Sequence, residues 1–235
     1  MSDDKSWVGI GNWQDVASGL RQYFVYAIVT VAFSALLGLV TVAMVASNPY
    51  KAVEYGMSVA KFGGLVGIVI GAFGLLAIER YSHIGEASGA RGLAKASFVL
   101  GVIAFLLGAA NIGKMWFAPF ESLEAMEATN WLDIAARVIG VAQVFCFLAS
   151  LKTCAAFISR FDLADLAGKT MVLLGMVVGL TLIVQIAGTA SPMLVLVVGL
   201  GMLGIGIWCL VWLLLLVSRL AKAVLSDADV PAAFS

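Results

Sequence analysis

The chain of 235 residues is 62% hydrophobic and only 12% charged, about half the charge of an ordinary soluble domain, so lipid is its expected solvent. Its 14 basic and 14 acidic residues cancel, which leaves no cationic excess to hold a nucleic-acid backbone. The single histidine, His83 in the polar stretch Glu79–Glu86, excludes a bis-histidine haem and a histidine-built metal cluster.

A hydrocarbon core of about 30 Å takes roughly 20 apolar residues in a helix, which pairs every backbone polar group within its own segment. Residues 1–22 are expected to form a cytoplasmic, interfacial N-terminal segment. Within it Trp13, Val16, Ala17 and Leu20 recur at helical spacing, as in a surface-docking helix or an ordinary lead-in to the first span. The first span, 23–46, has no charge and stops before Asn48-Pro49, where proline disfavours helical geometry in the preceding residue. Its apolar run is too long, and its approach through Asp3, Asp4 and Asp15 too acidic, for a cleaved signal peptide. It reads as a retained anchor.

The second span, 62–78, lies between Lys61 and Glu79-Arg80, and the third, 96–113, between Lys95 and Lys114. The stretch from Lys114 to Asp133 carries Glu121, Glu124 and Glu127 among Trp116, Phe117, Phe120 and Trp131. That spacing predicts an amphipathic surface helix. The three glutamates are a weak cation candidate or simply a solvated face. The fourth span is the shortest, with 14 residues between Arg137 and Lys152. It reaches full length, 134–158, if both long side chains snorkel to the headgroups. The fifth, 170–187, and sixth, 193–218, form a hairpin about Gly188–Pro192, and residues 219–235 form a tail.

With six crossings, ten basic residues fall on the side of the termini and four on the other. The positive-inside rule then makes both termini cytoplasmic. Arg21, Lys95, Arg137, Lys152 and Lys169 are the expected interfacial cations. Arg21, Lys95 and Lys169 are spaced by 74 and 74 residues, each before an odd-numbered span, as three parallel two-helix hairpin repeats would place them. The fold class is therefore all-α: a polytopic integral membrane bundle of about six helices.

Inside the spans no carboxylate, histidine or basic residue sits at mid-depth, where an ion-coupled transporter would keep one. Asn111, Gln143 and Gln185 are the candidate polar pathway, or hydrogen-bonding glue between helices. Two spans are rich in small residues, with Gly63, Gly67 and Gly71 in the second and Gly199, Gly201, Gly204 and Gly206 in the sixth. Such faces admit close helix packing, either within the bundle or against another subunit or copy. Cys146, Cys154 and Cys209 read as small apolar side chains. The first two, eight apart on one face, lie about 12 Å apart along a helix, beyond disulfide reach.

No motif for nucleophilic, phosphate or metal chemistry occurs, and no catalytic residue, cofactor or metal is expected. The Gly19-Leu-Arg21 lead-in to a long apolar helix resembles multi-pass bacterial membrane proteins in rhythm alone and implies no activity. The expectation is a non-enzymatic structural or accessory subunit of a membrane assembly in the bacterial cytoplasmic membrane. The alternatives are a channel or facilitator for a neutral or apolar solute and an intramembrane lipid-handling enzyme.

Overall fold

Charges mark the ends of the apolar runs, but they do not mark the ends of the helices. The computed structural model describes residues 13–117, 123–187 and 192–229. Among them are six helices and no strand: α1 (Trp13–Ser47), α2 (Ala52–Tyr81), α3 (Arg91–Phe117), α4 (Leu123–Phe157), α5 (Phe161–Ala187) and α6 (Pro192–Asp229). Each is long and apolar enough to cross a membrane. The chain is thus an all-α helical bundle whose composition fits a multi-pass membrane protein in contact with lipid.

Short connections make sequential helices antiparallel neighbours. α1 stops at Ser47, one residue before Asn48-Pro49, and a 3-10 turn over Pro49–Lys51 leads into α2. Between α4 and α5 only three residues intervene. There Ser159 adopts φ 59° and the Arg160 amide donates to the Ala155 carbonyl at 2.8 Å. This closure caps the carbonyls that the last turn of a helix leaves open. Each helix packs along its sequence neighbours, and α6 returns to α1 to close a ring. Packing is closest within the pairs α1–α2, α3–α4 and α5–α6.

The core occupies one end of this ring. It joins Val16, Ala17, Leu20 and Tyr23 of α1 with Ala77, Ile78 and Tyr81 of α2 and Ala94 of α3. α4 contributes Phe147, Leu148 and Leu151, α5 Leu163 and Ala167, and α6 Leu216, Val217, Leu220 and Val224. Both ends of the described chain therefore meet at the same end of the bundle. Many of these residues lie past the uncharged runs, on helix extensions with charged opposite faces. In α6, Leu216, Val217, Leu220, Ala221 and Val224 are buried while Arg219 and Lys222 are exposed. In α5, Leu163, Ala164 and Ala167 are buried while Asp162, Asp165 and Lys169 are exposed.

Solvent explains the asymmetry. Where helices emerge toward water, apolar side chains gain about 25 cal/mol per Å² by packing together. Where lipid surrounds them that driving force vanishes. Leu39 of α1 is accordingly 70% exposed, Val69 of α2 70% and Val138 of α4 63%. The molecule is a lipid-facing bundle closed at one end by a packed cap.

The surface helix expected between the third and fourth spans is continuous with α4, which begins at Leu123. The face of Val16, Ala17 and Leu20 is buried in the cap rather than laid on a surface. At the 74-residue spacing, Val16, Ala90 and Ala164 are all buried; Val16 and Ala164 lie in the first turn of α1 and α5, whereas Ala90 precedes α3.

Candidate functional site

The glycine faces separate into two kinds. In α2, a Cβ built on Gly63 would lie 2.7 Å from Leu37 of α1, and one on Gly74 would lie 2.7 Å from the Tyr26 ring. On the other flank, Gly64 would meet Ile112 of α3 at 3.0 Å and Gly71 would meet Phe105 at 3.3 Å. These glycines therefore receive side chains of the same chain from both neighbouring helices. α3 reciprocates at Gly101, whose added Cβ would lie 2.8 Å from Leu75 and 2.9 Å from Gln143 Nε2.

Gly67, Gly201, Gly204 and Gly206 behave differently. Among the described residues, no atom lies within 4 Å of a Cβ built at any of them. Gly201 and Gly204 are exposed, and they continue along α6 into the outward-facing Trp208, Val211 and Leu215. Gly199 lies at a position whose side-chain environment falls outside the described residues.

One glycine matters that its sequence setting did not mark as a packing residue. A Cβ on Gly19 would lie 2.7 Å from the Tyr81 amide nitrogen and 2.8 Å from the Ala77 carbonyl oxygen. Backbone meets backbone there. The usable signal was its place inside the stripe of Val16, Leu20 and Tyr23. Tyr81 and Phe147 were likewise unremarkable in sequence, yet Phe147 lies 4.4 Å from Tyr23 and 5.4 Å from Tyr81 between ring centroids. Trp13 stacks on Phe157 at 6.2 Å. In a ring ordered α1 to α6, α1 and α4 stand opposite, so the buried Tyr23, Tyr81 and Phe147 rings fill the bundle axis at the capped end, while Phe157 is 48% exposed.

The polar candidates do not converge. Ser97 Oγ donates to the Gln143 carbonyl at 3.1 Å, and the Gln143 side chain reaches Gly101. Asn111 sits ten residues further along α3, about 15 Å higher at 1.5 Å per residue. Its Oδ1 is shielded and accepts no hydrogen bond among the described residues. The Gln185 side chain lies outside the described residues.

Of the acidic trio, Glu121 lies outside the described residues. Glu124 and Glu127 fall in the opening turns of α4, where the side chains also lie outside them. No group of three or more potential metal ligands occurs among the described residues.

The interfacial cations are all exposed. Arg137 Nη2 reaches back one turn to Asp133 at 2.7 Å, toward the start of α4 and away from mid-helix, which is the direction snorkelling requires. At the capped end Lys169 pairs with Asp165 at 2.7 Å. Arg21 and Lys152 stand on the outer face of the cap. All three cysteines are free, with Cys154 buried.

No protein-family model, no curated protein and no solved structure matches the chain.

Proposed function

We propose that this multi-pass membrane protein is a non-enzymatic structural or accessory subunit of a membrane assembly. It rests in the bacterial cytoplasmic membrane with its cap and both termini on the cytoplasmic side. One observation carries the reading: Gly63, Gly64, Gly71 and Gly74 of α2 are filled by the chain's own side chains, whereas Gly201 and Gly204 of α6 are exposed and, among the described residues, nothing packs on them. In lipid a helix gains from small residues by letting another backbone approach. The occupant of the α6 face is therefore a transmembrane helix of another subunit.

Extraction from native membranes in a mild detergent tests this. The expected result is a complex of fixed stoichiometry that the double substitution Gly201→Leu, Gly204→Leu dissociates, while the released chain keeps its own melting temperature. A monodisperse monomer, or a complex indifferent to both leucines, contradicts the reading. Gly67→Leu on the open flank of α2 is expected to leave the complex intact. For orientation, reporters fused to the two termini are expected to report the same, cytoplasmic, face.

A facilitator for a neutral or apolar solute is the weaker reading. For a polar solute it needs a continuous polar path, whereas Asn111 and Gln143 are separated along the bundle, and for either solute the Tyr23, Phe147 and Tyr81 rings occupy its capped end.

A further inference from the structure

The loop joining α2 to α3 folds back on the first turn of α3 and leaves a cleft of about 310 Å³ lined by Glu86, Gly89, Arg91, Gly92 and Lys95. Gly89 adopts φ 65° and turns the chain into α3. Gly92 presents no side chain, and among the described residues nothing lies within 4 Å of a Cβ built on it, so the floor of the cleft is backbone. Arg91 and Lys95 stand one helical turn apart on the same face.

The charges in this cleft are incompletely matched. Arg91 Nη1 pairs with the Glu86 carboxylate, whose side chain is 81% exposed. Arg91 Nε is shielded from solvent and donates to no acceptor among the described residues. Lys95 forms no ion pair among them. One net positive charge remains. Lys95 is also the last charge before the apolar run that begins at Ala96, so the cleft lies at headgroup depth, beside the buried Ala90 and Ala94.

We propose that this cleft is a binding site for the phosphate of an anionic glycerophospholipid. The phosphate oxygens accept from Lys95 Nζ and from the Arg91 guanidinium in competition with Glu86, while the acyl chains lie along the lipid-facing side of α3. A guanidinium offers a fork of donors suited to a phosphate, and an ammonium adds a point charge. Basic pockets at the ends of transmembrane helices hold anionic headgroups by the same means.

The full chain in non-ionic detergent, offered equal amounts of phosphatidylglycerol and phosphatidylcholine, tests the site through the ratio of the two lipids retained in native mass spectrometry. Phosphatidylglycerol is expected to dominate. Lys95→Gln and Arg91→Gln are each expected to lower the ratio about fivefold, the effect of one interfacial charge. Glu86→Gln is expected to raise it, because it removes the competing carboxylate. Lys222→Gln, elsewhere on the cap, is expected to leave it unchanged.

A ratio near one, or equal losses in Lys222→Gln and Lys95→Gln, overturns the site. So does a fall in Glu86→Gln, which would make the Arg91–Glu86 pair a structural tie. Displacement of phosphatidylglycerol by millimolar inorganic phosphate would assign the cleft to a soluble anion and overturn the lipid.

Discussion

Gly19→Ala is expected to destabilise the chain by about 1–3 kcal/mol, the cost of forcing extra atoms into a packed interface. The new methyl group would stand 2.7 Å from the Tyr81 amide nitrogen and 2.8 Å from the Ala77 carbonyl oxygen. Neither atom can swing aside as a side chain can, so α1 must separate from α2 along the cap. The comparison that makes the result specific is Gly67→Ala. That position is open, and alanine is the better helix former by about 1 kcal/mol, so its stability should hold or rise. Thermal unfolding in detergent reads both, with the Gly19 variant melting about 5 °C lower. Equal midpoints for the two variants would show that α1 and α2 do not meet at Gly19.

Phe147→Ala is expected to cost about 3 kcal/mol, the lower end of the range for deleting a buried aromatic ring. Phe147 is 1% exposed and touches rings of both Tyr23 and Tyr81. Its removal leaves a void between helices that stand on opposite sides of the ring, and the surrounding backbone cannot collapse to fill it. Leu39→Ala is the matched control. Leu39 is 70% exposed, and lipid chains can occupy the volume its side chain vacates, so little change is expected. If the two truncations were equally harmless in denaturant-driven unfolding, the cap would not be the stabilising core.

The six spans were legible because uninterrupted apolar length has one physical meaning in a chain with so little charge. Antiparallel hairpins followed from short connections, and the common side of both termini followed from an even number of crossings. The cap was harder to see. Apolar runs delimited by charge suggest that a helix ends at Arg21 or Lys169, yet α1 begins at Trp13 and α5 at Phe161. The missing information was the stripe of Val16, Ala17 and Leu20, which reads identically whether it meets a membrane surface or other helices. Glycine-rich faces posed a similar problem. Gly64 and Gly201 look alike in sequence, and only the placement of Ile112 against one of them distinguishes a filled face from an open one. The cleft of Glu86, Arg91 and Lys95 depends on a loop that folds back over the helix it precedes, a relation that residue spacing does not encode.

The position of the cap also bears on how the protein is made. Its α1 stripe, Val16 to Tyr23, is synthesised first, and its α6 stripe, Leu216 to Val224, last. All the intervening hairpins can enter the bilayer as they emerge, but the cap has no complete partner set until α6 has been made. A ribosome that stalls before α6 would release a chain already threaded through the membrane yet displaying an uncovered apolar face to the aqueous phase. Such a face is what chaperones and membrane proteases bind, so closure of the cap is the step that removes it.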